Sequence, residues 1–257
     1  MNPIVPELSR ELEREPPWMF PWHLGPGVEP PLIGPNLPSV HRTRMELMER
    51  PVREALAAAG PDATALDMAC CEGWFAHRLL DWGAARVTGI DLREVNIRRA
   101  ELVRDHFDIP RERLRFVQSD IFDLDLDQLG PFDVVLVLGL VYHLEDPVGA
   151  VRRARALTRS LCVLESQLTR QDRPIIHGNG SPEALFTAEA SFAAIVEPDA
   201  DHNQLASAPG ILSLIPNRAG FEQMTRVAGF DDVELASASA EQDRQYWRGD
   251  RAVLLAR

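Results

Sequence analysis

Two rhythms of apolar and polar positions alternate along most of this chain. One is the short unbroken apolar run, the other a stretch with apolar residues three or four apart. Ala65-Leu66-Asp67-Met68-Ala69-Cys70 is of the first kind, with a single acid inside it, and reads as a buried parallel strand. Cys71-Glu72-Gly73 reads as a tight turn. Trp74, Phe75, Leu79 and Leu80 then recur at helical spacing until Gly83 closes the helix. Residues 86–90 form a second strand, with Asp91 at its carboxyl end. The same alternation predicts a helix over 94–108, a strand over 114–118, a central buried strand over 131–139, a helix over 144–157 and a strand over 161–166. Asn217 is placed to cap a helix through Phe221, Met224 and Val227 that ends at Gly229. Residues 233–238 and 252–256 read as the last two strands.

Two regions depart from this rhythm. Residues 1–40 form an arm in which the first 38 positions hold half of the prolines, with Trp18, Phe20 and Trp22 among them. Such a composition favours extended or turn structure. Three large aromatics in five residues are too apolar for a solvated tail, so the arm is expected to pack on the domain, near the mouth of its site. Residues 41–59 follow as an amphipathic helix (Met45, Met48, Val52, Leu56, Ala59), with Pro51 placed to kink or split it. The pattern lapses again over about 167–216, which reads as a lid or substrate-side insertion in a domain spanning 41–257.

Strand–helix alternation implies an open α/β sheet, whose ligands bind outside the carboxyl ends of the strands near helix N-termini. The turn at 69–73 and Asp91 should therefore face one ligand. A dinucleotide fingerprint would need glycines at the turn to admit a pyrophosphate, and Ala69, Cys71 and bulky Trp74 make a poor phosphate cradle. The stretch instead resembles the first motif of class I S-adenosylmethionine (SAM) methyltransferases, D-x-G-C-G-x-G followed by an acid ending the second strand. Asp67, Cys70 and Gly73 match it, and Ala69 and Cys71 replace two glycines. The resemblance implies a Rossmann-like, seven-strand, mostly parallel sheet flanked by helices, and a SAM-dependent methyltransferase yielding S-adenosylhomocysteine (SAH). It implies cofactor contacts from Asp67, Ala69, Cys70, Cys71, Gly73, Asp91, Leu92, Ser119, Asp120, Ile121, Gly139 and Leu140. Within these, Asp91 would bond the ribose and Asp120 the adenine amino group. The segments FDVVLVLGLVYHLEDP and PNRAGFEQMTRVAGF, and the arm with WHLGPG, are similar to the branch holding the tRNA wobble-uridine carboxymethyltransferases and related small-molecule and sugar O-methyltransferases, which share the Tyr-His turn.

Charge and composition narrow the acceptor. Net charge is −12 and no run of Lys or Arg would track phosphates, which argues against nucleic acid and for a hydroxyl on a small molecule or saccharide. Arg98, Arg99, Arg104, Arg111, Arg113 and Arg115 leave room for a local basic patch. His143 is the candidate general base and Tyr142 the second catalytic candidate, because both follow the end of the central strand. His77 and His106 fall on predicted helices as packing or surface groups. Glu165, Glu197, Asp199 and Asp201, with His177 or His202, match no ligand signature and read as solvated loop charges, so no metal is expected. Asp123, Asp125 and Asp127 lack the Gly and Glu of a calcium loop and read as a surface turn. Three cysteines, two of them adjacent, suggest packing residues and no disulfide framework. The chain shows no apolar stretch long enough for a bilayer and no signal-peptide pattern, so a cytoplasmic protein is expected, with a homodimer left open. A tRNA-modifying enzyme and a non-catalytic SAM-binding protein are the alternative functions.

Overall fold

A computed structural model describes residues 6–14, 17–170, 175–177, 185–187, 189–197 and 210–257. Five parallel strands form the sheet's body: β1 (Thr64–Met68), β2 (Arg86–Asp91), β3 (Leu114–Gln118), β4 (Phe132–Leu138) and β5 (Thr158–Gln167). Two antiparallel strands, β10 (Val233–Ala236) and β11 (Arg251–Ala256), complete it in the order β10-β11-β5-β4-β1-β2-β3. The order reverses between β1 and β4, and that switch point opens a crevice at the strands' carboxyl ends.

Period-two alternation sends neighbouring strand residues to opposite layers. Ala65, Val87, Val134, Leu136 and Val163 pack against α2 (Leu37–Ala59), α3 (Trp74–Asp81) and α4 (Glu94–His106). Leu66, Met68, Val135, Val137 and Leu164 pack against α6 (Pro147–Ala156) and α7 (Arg218–Val227). Asn217 caps α7 by accepting the Gly220 N–H at 2.7 Å.

Several expectations need correction. Helix α2 begins at Leu37, before the predicted start, with a proline in its first turn, and runs through Pro51 without a break. Met48, Val52 and Leu56 are buried on either side of Pro51, so tertiary packing outweighs the lost N–H. The arm holds a helix, α1 (Pro6–Leu12), as well as extended segments. The acidic run contains the short α5 (Leu126–Leu129), whose N-cap Asp125 accepts from Gln128 N at 3.1 Å. The insertion contains two strand pairs, β6 (Ile175–His177) with β7 (Leu185–Thr187) and β8 (Phe192–Val196) with β9 (Leu212–Pro216). A short α8 (Arg244–Trp247) precedes β11. The arginine series divides: Arg99 and Arg104 are buried, Arg99 paired with Glu11 and Glu72 and Arg104 with Asp105, whereas Arg111, Arg113 and Arg115 are exposed.

Candidate active site

The turn between β1 and α3 sets one wall of the crevice. Ala69 and Cys71 both hold positive φ, 59° and 50°, which side chains adopt at a cost of about 1–2 kcal/mol each. Gly73 (φ +78°) has no alternative, since a Cβ there would stand 2.6 Å from Phe116 Cζ. Asp91 ends β2 and ties the turn in place. Its Oδ2 accepts the Cys71 N–H at 2.9 Å, and its Oδ1 accepts Arg93 N–H and Asn96 Nδ2, each at 2.9 Å. On the neighbouring β1 lies Asp67, whose Oδ2 is buried with no hydrogen-bond partner among the described residues. Burial, then the charge of Asp91, pushes Asp67 up to about 8, so at neutral pH its carboxyl is largely protonated.

A cavity of about 510 Å³ occupies the crevice, in the size range of small-molecule and cofactor sites. Of the residues singled out from sequence, Ala69, Cys71, Asp91, Leu92, Ser119, Asp120, Ile121, Gly139, Leu140, Tyr142 and His143 line it. Asp67, Cys70 and Gly73 do not; they lie behind the turn and shape it. Asp120 accepts Phe122 N–H through Oδ1 at 2.9 Å, a local turn that orients its carboxylate. Phe20 of the arm lines the cavity, as does Met19 beside it, and the cavity is also closed by residues that sequence reasoning did not single out: Leu37, Val40, His41 and Arg44 from α2, Ile211 beside β9, and Arg251 from β11.

His143 stands at the cavity wall in a short 3₁₀ turn, Val141–His143. Its Nδ1 lies 2.8 Å from Glu197 Oε1, and the same oxygen accepts Ser213 Oγ at 2.8 Å. Glu197, at the end of β8, is only 3% exposed. It is not the solvated loop charge that the sequence suggested. The β8–β9 hairpin is pinned to the histidine turn by Leu214 N–H donating to Leu144 O at 3.0 Å, which brings Glu197 inward. Burial holds His143 below the usual imidazole value, and the hydrogen bond and charge of Glu197 oppose that shift.

Glu165 is likewise buried, fully so, under a cluster on the other side of the cavity. It accepts from Arg44 Nη2 at 2.9 Å, Arg251 Nη1 at 3.0 Å and Tyr246 Oη at 2.9 Å. Burial raises its carboxyl, but the two guanidinium groups outweigh this and hold it below the usual carboxylate range. Asp199, Asp201 and His202, and the side chain of His177, lie outside the described residues. Among the described residues no three His, Cys, Asp or Glu side chains gather as metal ligands.

Residues 66–163 match the protein family described as a methyltransferase domain. The chain carries the class I methyltransferase fold. It is 27% identical over 151 residues to the ubiquinone biosynthesis O-methyltransferase of Vibrio campbellii, covering 58% of this chain and 60% of that one. It is 30% identical over 98 residues to the tRNA U34 carboxymethyltransferase of Actinobacillus pleuropneumoniae, covering 37% of this chain and 29% of that one. The matches therefore span less than two thirds of these curated relatives. Among solved structures, the N-terminal domain of EvdMO1 with SAH bound superposes with a TM-score of 0.67 at 18% identity, covering 97% of this chain and 94% of that one. The glycopeptide N-methyltransferase MtfA complexed with SAM gives 0.51 at 17% identity, covering 81% and 92%. The first of these likenesses in fold spans nearly the whole chain. No described helix is long and apolar enough to cross a membrane.

Proposed function

We propose that the protein is a SAM-dependent O-methyltransferase whose acceptor is a hydroxyl on a small molecule or saccharide, with His143 as general base. The observation that carries this reading is the His143–Glu197 pair, 2.8 Å apart at the wall of the cavity that Asp91 and Asp120 enter from the other end. Residues suited to the cofactor are those of the β1 turn, Asp91 and Asp120. Asp91 Oδ2 accepts one protein N–H and has a second lone pair for a ribose hydroxyl. SAM, when bound, supplies a methyl group on a cationic sulfur, which keeps the electron pair of the S–C bond as the methyl leaves.

The chain's own task is then alignment and proton removal. Glu197 accepts from Nδ1–H, which fixes the tautomer and presents Nε2 as the basic nitrogen. Nε2 takes the proton as the acceptor oxygen gains the methyl group, and the carboxylate of Glu197 stabilises the imidazolium that results. The net charge of −12 and the burial of Arg99 and Arg104 weigh against the tRNA reading.

Isothermal titration with SAH, followed by incubation of methyl-labelled SAM with fractionated glycans, RNA and metabolites, tests the reading. SAH should bind, and label should enter a hydroxyl compound. His143→Ala should lower that transfer about 10²-fold while SAH still binds. Absence of SAH binding to the wild-type chain, label in RNA alone, or full activity in His143→Ala would overturn it.

A further inference from the structure

The cluster that holds Glu165 leaves positive charge over. Two guanidinium groups, Arg44 and Arg251, share that one carboxylate, and the remaining partners, Tyr142, Tyr246 and Gln245, are neutral. The neighbouring His41 is held neutral by burial and by Arg44, so it adds no charge of its own. Each arginine also keeps one terminal nitrogen, Nη1 of Arg44 and Nη2 of Arg251, that donates to no described group. Both side chains line the cavity and are nearly buried, 8% and 13% exposed. A surplus buried charge with unused donors is costly unless an anion answers it.

The open space in front of these groups is set by Gly139 at the end of β4. A Cβ there would stand 3.4 Å from Arg44 Nη2 and 3.6 Å from Tyr142 Oη, so a side chain would occupy the cradle. Its position favours the acceptor over the cofactor. Arg251 pairs with Gln167 at the carboxyl end of β5, and Asp91 ends β2. Four strand spacings separate β11 from β2, roughly 19 Å at about 4.8 Å each. The arginine therefore faces the end of the cavity away from the nucleoside wall, on the side of the sheet's antiparallel strands. One surplus positive charge matches a carboxylate better than a dianionic phosphate, and the planar guanidinium fork suits a carboxylate's two oxygens.

We propose that the acceptor is a hydroxy acid, with its carboxylate seated between Arg251, Arg44 and Tyr142 and its reacting hydroxyl turned to His143. The proposal rests on the methyltransferase reading above and narrows its substrate class.

Calorimetry on the SAH-saturated protein tests it with paired probes, 4-hydroxybenzoate against 4-hydroxybenzamide and glucuronate against glucose. In at least one pair the acid should bind about tenfold or more tightly than its neutral partner, the scale of a charged hydrogen bond. Arg251→Gln should erase that preference with SAH affinity within about twofold of wild type, and Arg251→Lys should restore part of it. Melting temperatures of both variants separate lost recognition from lost folding, and the wild-type comparison stands without either. Equal binding of acid and neutral probe in both pairs, or no binding of any, would overturn the subsite. An Arg251→Gln loss confined to SAH affinity would also overturn it, by assigning the charge to the cofactor. Failure of SAH itself to bind would strike the methyltransferase reading instead, so the two failures are distinct.

Discussion

The carboxylate of Glu72 receives the backbone N–H of Met19 at 2.9 Å through Oε1, and so ties the N-terminal arm to the turn that walls the cavity. The Phe20 N–H reaches Oε2 of the same side chain at 3.2 Å. Arg99 completes the arrangement. It bonds Glu72 at 3.3 Å and Glu11 at 3.1 Å, with its guanidinium 4.7 Å from the Trp18 ring centroid. Removing that cation takes a charged partner from each of two buried carboxylates, leaving Glu72 its backbone donors and Glu11 its bonds to Arg98 and Arg14. Arg99→Leu should therefore cost about 3–5 kcal/mol, measured by urea unfolding, and a loss below 1 kcal/mol would contradict a buried, mutually dependent network.

Asp67 and Glu72 contribute stability that is lost as pH rises from about 4 to 8. Burial raises Asp67 from 3.8 to about 8 and Glu72 from 4.5 to about 7. Between those values each carboxyl holds its proton more firmly in the folded chain than in the unfolded one, so its own share of the unfolding free energy declines with pH. The buried His41 and His77, held below the usual imidazole value, act in the opposite sense up to about pH 6.5, so the Asp67 share is read against a variant that lacks it. The urea midpoint of the ligand-free wild type relative to Asp67→Asn should fall across that window. A difference between the two that stays constant or rises with pH would refute the assignment.

Glu197→Gln should lower the titration midpoint of His143, because the carboxylate's hydrogen bond and charge are what hold it up against burial. Carbon-13 NMR of labelled histidine reads this directly. Methyl transfer to the acceptor found by the labelling screen should drop about tenfold or more. An unmoved midpoint would mean that the two groups do not interact in solution.

Ala69→Gly should stabilise the chain. Alanine at φ 59° carries about 1–2 kcal/mol of strain, against the roughly 0.5–1 kcal/mol of extra entropy that glycine brings to the unfolded state. A net gain of about 0.5–1 kcal/mol is expected in denaturant titration, and destabilisation would show that the Ala69 methyl contributes packing that outweighs its strain.

What could be read in the linear sequence is what local chemistry decides. Asp91, Gly73 and the Asn217 cap act within one strand–turn–helix unit, and each stands where its own neighbours place it. The partners that complete the site come from far along the chain: Glu197 is 54 positions from His143, and Glu165 is 121 from Arg44. Spacing cannot express such meetings. A signal for Arg44 was nonetheless present, since it lies four residues before Met48 on the apolar stripe of α2, where a charge has no solvent to face. Glu165 gave a similar hint as a carboxylate inside an apolar strand. The two carboxylates read as loop charges proved buried because the elements that cover them lie in the insertion and at the chain's end.

The hairpin of β8 and β9 has a consequence for how such proteins diversify. One segment contributes Ile211 to the cavity and, through Glu197, opposes the downward shift of the histidine beside it. Under the proposed function, exchanging that segment would alter both which molecule is admitted and how its proton departs, while the seven-strand platform stayed untouched. Selectivity and proton handling would then change together, as a single replaceable part.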